Sequence, residues 1–130
     1  MSTFPEGKLV LLYKEGSAAG DQTVNLQPRA NVEWLVMAVW GYHDDNAAGR
    51  DSNWQWADGV HTVYYPVIVA MTNLQRYCLE AIDGNESRQG RGLQGLPFRI
   101  TVDVFPSFTV KALAAGKKPF IAGIALERGV

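Results

Sequence analysis

The stretch WLVMAVWGY, residues Trp34 to Tyr42, decides the fold class of this chain. Its side chains are those of a β-strand, in which successive residues point to opposite faces. Apolar groups then lie on both faces: Trp34, Val36, Ala38, Trp40 and Tyr42 on one, and Leu35, Met37 and Val39 on the other. A two-layer sandwich buries only one face of each sheet. The sequence thus predicts a strand whose second apolar face is more than a small monomer can cover by itself.

Working outward from this strand, turn-forming residues recur at short spacing, and runs of β-branched and aromatic residues lie between them. Nine runs have the length of a strand: Lys8 to Tyr13, Thr23 to Gln27, Val32 to Tyr42, Trp54 to Ala57, Val60 to Thr72, Leu74 to Ile82, Phe98 to Phe105, Phe108 to Leu113 and Phe120 to Glu127. Eight or nine strands at this spacing predict an all-β fold, a two-sheet antiparallel sandwich with a jelly-roll-like arrangement.

Length, composition and net charge limit the number of domains and the classes of partner. The chain has 130 residues, of which 47% are hydrophobic and 19% charged, and its net charge is −1. This length fits one domain, which we expect at residues 8–130, after an N-terminal arm at residues 1–7. The small net charge gives no long-range attraction for nucleic acid or for an anionic membrane. No segment reaches the roughly 20 apolar residues of a membrane span.

Local signals refine three of these strands. Asp58-Gly59 predicts a hairpin, because this pair can supply the positive φ angles of a type I′ turn. The run Phe98 to Phe105 alternates apolar and polar residues, which is typical of a sheet with one face in the core and one in water. Pro66 interrupts the run Val60 to Thr72 and marks a sheet edge or a bend at which the strand changes sheet.

Two segments fit a short helix as well as a strand. Thr72 and Gln75 match a capping box at the start of one of them. Gly116 is placed to end a helix over residues 107–115. Periodicity does not separate such short runs. We favour strands in both segments because their neighbours along the chain are β-rich.

The cluster His43-Asp44-Asp45 is the candidate metal or acid-base site, with Asp51 and Asp58 further along the chain. Carboxylates beside a histidine can hold a divalent cation or transfer protons. The calcium-loop pattern fails here, since an alanine and a glutamine stand where oxygen ligands are required. We therefore favour a solvated loop held by Asx turns, and we expect no metal and no cofactor.

Aromatic residues provide the candidate contact surface. Trp54 and Trp56 are two apart, so in a strand they share a face and could form a platform for sugar rings or anchor another protein. Core packing explains them equally well. The predicted interface or ligand platform comprises Phe4, Trp54, Trp56, Tyr64 and Tyr65, whereas Trp34 and Trp40 are assigned to the core.

Residues suited to covalent or acid-base catalysis are scarce. The sequence has no motif for nucleophilic catalysis and no phosphate-binding glycine loop. Its single cysteine, Cys78, lies within an apolar run, as expected of a buried and unreactive thiol. With only two histidines available for proton transfer, the sequence favours a protein that is not an enzyme.

The succession TVNLQP, VEWLV, an HDD loop, WQWADG, LPFRITVDV and ALAAGKKPFIAGIALE, between Thr23 and Glu127, resembles the small β-sandwich structural proteins of tailed-bacteriophage virions. This resemblance implies a capsid decoration, cement or minor head protein that works as an oligomer on an icosahedral shell. It carries over no catalytic residues. Head and tail components are not distinguished by these motifs.

The leading hypothesis is therefore a non-enzymatic virion structural subunit. It would form a homo-oligomer through the apolar faces of its long strands and bind other virion proteins. The alternative is a carbohydrate- or receptor-binding sandwich that uses the aromatic platform, and a metal-dependent enzyme comes third. The N-terminus MSTFPEGK lacks the basic and apolar segments of a secretory signal, so we expect the virion to be assembled in the host cytoplasm.

Overall fold

β-strands are the only regular elements described in the computed structural model, which covers residues 7–64, 68–79 and 98–130. The ten strands are β1 (Lys8–Glu15), β2 (Gly20–Asn25), β3 (Val32–His43), β4 (Arg50–Ala57), β5 (Thr62–Tyr64), β6 (Val69–Met71), β7 (Tyr77–Cys78), β8 (Phe98–Ile100), β9 (Phe105–Leu113) and β10 (Pro119–Gly129). The described residues contain no helix, and hence none that is long and apolar enough to cross a membrane.

The strands form two antiparallel sheets that pack face to face. Sheet A has the order β1-β10-β3-β7, and β8 also pairs with β3. Sheet B has the order β2-β9-β4-β5, and β6 also pairs with β4. The first strand thus pairs with the last, the second with the ninth, the third with the eighth and the fourth with the fifth. This is the strand pairing of a jelly roll, so the predicted all-β antiparallel sandwich is confirmed, with ten strands in the described residues instead of eight or nine.

The sheets meet around Phe108 of β9. Its ring lies 5.0 Å from the ring of Trp54, also in sheet B, and 6.3 Å from that of Tyr77 in sheet A. Trp54 and Phe108 are fully buried. The indole Nε1 of Trp54 donates a hydrogen bond to the carbonyl oxygen of Tyr77 at 3.0 Å, so burial of this polar atom leaves no unsatisfied donor. Gly41 of β3 receives the Phe108 ring, because a Cβ there would lie 2.6 Å from it.

A β-bulge in β3 changes which residues of this strand face the core. Ile124 of β10 pairs with Ala38 and Ala125 pairs with Val36, so Met37 has no partner in β10. One extra residue reverses the alternation of the strand. Inward positions are even-numbered before the bulge and odd-numbered after it, as the buried residues show: Val32, Trp34 and Val36, then Val39, Gly41 and His43. The prediction that Trp34 to Tyr42 alternates without interruption is therefore wrong.

Two of the predicted strands are interrupted. The run Phe98 to Phe105 ends at Ile100, because the Thr101 hydroxyl accepts hydrogen bonds from the backbone N–H groups of Asp103 and Val104 and closes a turn. The chain then passes from sheet A to sheet B. The run Val60 to Thr72 gives the two short strands β5 and β6, both paired with β4. Pro66 lies between them, outside the described residues.

Both segments with helical alternatives contain strands. Residues 107–113 belong to β9, and Tyr77–Cys78 forms β7. One half of the capping box is nevertheless present at the preceding turn: the Gln75 side chain accepts from the Thr72 backbone N–H at 2.9 Å. The other half is replaced, because the Gln75 N–H donates to the Thr72 carbonyl oxygen. Residues 80–82 of the predicted strand lie outside the described residues, as do residues 1–6 of the predicted arm.

The predicted Asp58-Gly59 hairpin joins β4 to β5, but its turn is longer than predicted. Ala57 pairs with Thr62, which leaves a loop of four residues. Gly59 has a positive φ of 88°, and Asp58 does not have a positive φ, so the turn is not type I′. The Asp58 carboxylate instead accepts hydrogen bonds from the backbone N–H groups of Val60 and His61, which are the largest cause of a pKa lowered to about 2.

The contact between Gly41 and Phe108 gives a prediction about stability. Replacement of Gly41 by alanine should lower the free energy of unfolding by about 1–3 kcal/mol, because the added methyl overlaps the Phe108 ring and the sheets must separate. Urea denaturation checks this value. Gly129→Ala is the control, since its Cβ would lie 3.8 Å from the nearest atom. Equal stability of Gly41→Ala and the parent would contradict the packing described here.

Candidate interaction surface

The outer faces of the two sheets differ in chemistry. On sheet B, Thr23 and Thr109 join their hydroxyls at 2.8 Å, and Thr109 donates to the Gln55 side chain at 3.2 Å. Ser107 donates to the Asn25 side chain at 2.8 Å on the same sheet. Side-chain hydrogen bonds thus cross sheet B from β2 through β9 to β4. This outer face has the polar character expected of a solvated sheet surface.

The outer face of sheet A is apolar, and we call it the apolar face. Its side chains come from three neighbouring strands: Leu9, Leu11 and Tyr13 from β1, Phe120, Ile124 and Leu126 from β10, and Leu35, Met37, Trp40 and Tyr42 from β3. Leu9 is 67% exposed, Leu11 81% and Tyr13 56%. These neighbouring, more than half-exposed side chains form a contiguous apolar patch, and such patches are often functional.

Aromatic rings order one end of the apolar face. Tyr42 and Phe120 stack with ring centroids 5.0 Å apart, and Tyr13 lies 6.2 Å from Phe120 on its other side. Partial burial is the main cause that raises the pKa of Tyr42, and the nearby Tyr13 and Asp44 contribute. Three rings on adjacent strands therefore form a continuous surface of the kind that is enriched at protein interfaces.

Ion pairs border the apolar face at both ends. At one end Lys118 Nζ lies 3.0 Å from a Glu15 carboxylate oxygen, and this hydrogen bond is the main cause that raises the pKa of Lys118. At the other end Glu33, which is almost fully buried, contacts Arg128 and Arg99. Each of these charges has a partner of opposite sign. The apolar face thus has the layout of an interface, with an apolar centre and a polar rim.

Glu127 of β10 forms hydrogen bonds on the inner side of sheet A, at the same end as Glu33. It accepts a bidentate pair of hydrogen bonds from Arg29, at 3.2 and 3.1 Å, and a third from Trp34 Nε1 at 2.9 Å. The hydrogen bond from Trp34 is the largest cause that lowers the pKa of Glu127, followed by that from Arg29. Trp34 is buried, which confirms its assignment to the core.

The candidate metal cluster is a structural hydrogen-bond network. His43 is fully buried; its Nε2–H donates to Met71 C=O at 2.7 Å, and its Nδ1 accepts from the Asp45 N–H at 3.1 Å. Both ring nitrogens are thereby occupied by hydrogen bonds within the protein. Asp44 accepts from Lys118 N–H at 2.8 Å. Among the described residues no group of three or more His, Cys, Asp or Glu side chains is placed to hold a metal ion.

Asp45 links the β3–β4 loop to the β9–β10 turn. One carboxylate oxygen accepts from Ala47 N–H, and the other accepts from Arg50 Nε at 2.8 Å and from Ala114 N–H at 2.9 Å. Backbone hydrogen bonds from Ala114 and Ala47, with a further contribution from Arg50, lower the pKa of Asp45 to about 2. The carboxylate oxygens needed for a cation are therefore used by the protein itself, as the predicted Asx turn requires.

Trp54 and Trp56, two residues of the predicted aromatic platform, face the inside of the sandwich. Trp54 is fully buried against Phe108, so it belongs to the core, which was the alternative explanation. Trp56 points to the same side, and its half-buried ring packs edge-on against Phe98 at 5.4 Å. Tyr64 is exposed on β5. Phe4 and Tyr65 lie outside the described residues.

The sequence pattern did not identify Trp40 or the outward-facing residues of β1 as parts of the apolar face. Trp40 was assigned to the core, but it lies on the apolar face, half-buried beneath the guanidinium of Arg76 at 6.0 Å from the ring centroid. Leu9, Leu11 and Tyr13 were not recognised as contact residues. The alternation of exposed and more buried positions in KLVLLYKE is hidden in the sequence because both sets are apolar.

Comparison of the chain with protein-family models, with curated proteins and with solved structures gives no significant match.

The hydrogen bonds of Asp45 predict a pH dependence of stability. Because folding lowers its pKa from 3.8 to about 2, the ionised carboxylate stabilises the fold above about pH 4, and this contribution is lost as the pH falls towards 2. Asp45→Asn should therefore be less stable than the parent at pH 7, and the difference should shrink below pH 4.

Thermal denaturation of the two proteins between pH 7 and pH 2 measures this effect. Asp103→Asn is the matched control, because Asp103 is exposed and its carboxylate has no partner in the described part of the chain. A stability difference for Asp45→Asn that stays constant across this range would show that ionisation of Asp45 is not coupled to folding.

Proposed function

We propose that this protein is a non-enzymatic structural subunit of a virion, a capsid decoration, cement or minor structural protein. It associates with copies of itself through the apolar face and binds other virion proteins. The observation that carries the proposal is the exposed apolar face of sheet A, which no other described residue covers, with Leu11 at its most exposed point. The resemblance of TVNLQP, WQWADG and the closing hairpin to phage structural proteins supports the assignment to a virion. The location, a virion assembled in the host cytoplasm, belongs to the same proposal.

The size of the apolar face suits the centre of a protein interface. Three strands about 4.8 Å apart, with about eight residues each at 3.3 Å, give a footprint of roughly 400 Å². Apolar patches of this size on monomers are often functional. A stable interface uses roughly 800 Å² on each partner, with a polar rim around the apolar centre, and the Glu15–Lys118 and Glu33–Arg128 pairs stand where that rim would lie.

A second copy of this chain is the occupant that we propose for the apolar face. The rim charges at each end are paired within one chain, so the face carries no surplus charge that would call for a partner of opposite sign. Among the described strands, β1 also forms an edge of sheet A. Its centre, Leu9 to Tyr13, carries no charged residue, and an exposed apolar edge of this kind favours pairing with another chain. A two-fold axis through the apolar face would bury this face of both copies in one interface.

The chemistry of the remaining side chains supports a non-enzymatic role. Both ring nitrogens of His43 are held by backbone groups, and His61 lies on the exposed hairpin beside Asp58 at 3.3 Å. Cys78 is buried, as predicted. None of these groups is positioned within the described residues as a nucleophile with an adjacent base. The jelly-roll fold itself hosts capsid proteins and lectins alike, so the fold does not decide between them.

Substitution at the centre of the apolar face tests the proposal. Sedimentation at micromolar concentration should show the parent protein as an oligomer. Leu11→Lys should shift it to the monomer, because the ammonium group would be buried without a partner in the interface. Leu11 is 81% exposed in the single chain, so circular dichroism should show that the fold is retained.

Val60→Lys provides the matched control. Val60 is 84% exposed and lies on the β4–β5 hairpin, away from sheet A, so the same charge change should leave the oligomer intact. A parent protein that sediments only as a monomer would contradict self-association. Equal dissociation of both variants would place the interface elsewhere.

A further inference from the structure

A groove crosses the outer face of sheet B, on the opposite side of the sandwich from the apolar face. Its volume is about 630 Å³, within the usual range for small-molecule sites. β4 supplies the polar side chains of Asp51, Asn53 and Gln55, which point outward in alternation with buried Ser52 and Trp54. Further lining residues are Tyr64, Ile68, Thr109 and Lys111.

Asn53 has unused hydrogen-bonding capacity in this groove. Its Oδ1 is buried and has no hydrogen-bond partner, and its amide nitrogen makes no hydrogen bond in the described structure. A buried acceptor without a partner costs about 1–3 kcal/mol, so native structures seldom retain one without a reason. Rotation about the Cβ–Cγ bond exchanges the oxygen and the nitrogen, which lets Asn53 present either a donor or an acceptor to a bound molecule.

The neighbouring polar groups complete a set of donors and acceptors. The Asp51 carboxylate has no partner in the described part of the chain and is a free acceptor. Gln55 uses its oxygen to accept from Thr109, which leaves its NH₂ group as a donor. Ordering of Gln55 by Thr109 reduces the side-chain entropy lost when a ligand binds.

The two exposed apolar side chains of the groove give it an amphipathic character. Tyr64 is 64% exposed and Ile68 66% exposed, so a ligand meets an aromatic ring and an aliphatic group beside the amides. A sugar ring has the matching properties, because its hydroxyl groups form hydrogen bonds and its C–H face packs on aromatic rings.

Charge argues against an anionic ligand. The groove contains one carboxylate, Asp51, and one ammonium group, Lys111, which already lies 3.6 Å from Asp21. Nucleic acid requires several unpaired cations, and the free Asp51 would repel phosphate. A purely apolar ligand would leave the Asn53 amide and the NH₂ group of Gln55 buried without partners.

We propose that this groove binds a neutral oligosaccharide of about two or three sugar units. The site is distinct from the predicted platform of Trp54 and Trp56, which point into the sandwich from the same strand. It lies on the face that assembly through sheet A leaves open, so a subunit in an oligomer would still present the groove to solvent. The proposal is independent of self-association and stands or fails separately from it.

Titration of the full chain with neutral trisaccharides tests the site. A glycan array followed by calorimetry with maltotriose, cellotriose and triacetylchitotriose should identify at least one saturable ligand. Tyr64→Ala and Asn53→Ala should each weaken its binding by about tenfold, the equivalent of about 1.4 kcal/mol, through loss of ring stacking and of amide hydrogen bonds.

Val63→Ala is the matched control, since Val63 neighbours Tyr64 on β5 and is 63% exposed but does not line the groove. This variant should bind as the parent does. Three results would overturn the proposal: no binding by any neutral glycan on the array or by the three trisaccharides, equal loss with Val63→Ala, or saturable binding of an oligopeptide or oligonucleotide with no response to sugars.

Discussion

One extra residue in β3 determines the two surfaces of sheet A. Because Met37 has no partner in β10, the strand reverses its alternation halfway along. Trp40 and Tyr42 then face outward, where Tyr42 stacks on Phe120, and the positions between them turn inward. Without the bulge, two large rings would enter a core that already contains Trp54 and Phe108. The apolar face is therefore a consequence of how the core is filled.

The inward positions after the bulge carry the residues that join the sheets. Gly41 makes room for the Phe108 ring, and His43 reaches the Met71 carbonyl in sheet B. Asp45, two residues on, links the same end of the sandwich to the β9–β10 turn through Ala114. At the opposite end Glu127 joins β10 to Arg29 and Trp34. Polar networks thus secure both ends of the sandwich, and the middle is held by aromatic packing.

The sequence predicts the sandwich well because most strands carry clear apolar runs between turns, as β1, β9 and β10 do. β4 is predicted only in part, from Trp54 to Ala57, because its first residues, Arg50 to Asn53, are polar. It does not predict the bulge, because period-two alternation in WLVMAVWGY is the same on paper with or without an unpaired Met37. Trp54 shows a second limit. A tryptophan two residues from another is equally suited to a surface platform or a core, and only the tertiary contact with Tyr77 C=O satisfies its indole N–H inside the protein. The groove depends on side chains from three separate strands and has no local pattern.

The outer face of sheet B is polar, whereas the outer face of sheet A is apolar. Sheet B uses short polar side chains such as Thr109, whose hydroxyl is hydrogen-bonded to neighbours on both sides, so it is stable in water. Sheet A places leucines and a tyrosine on β1, which is an edge strand among the described residues, and an apolar edge strand carries a risk of uncontrolled association. The charged residues that limit this risk, Lys8 and Lys14, stand only near the ends of β1. The middle of β1, Leu9 to Tyr13, therefore carries no charge that would oppose pairing with another chain.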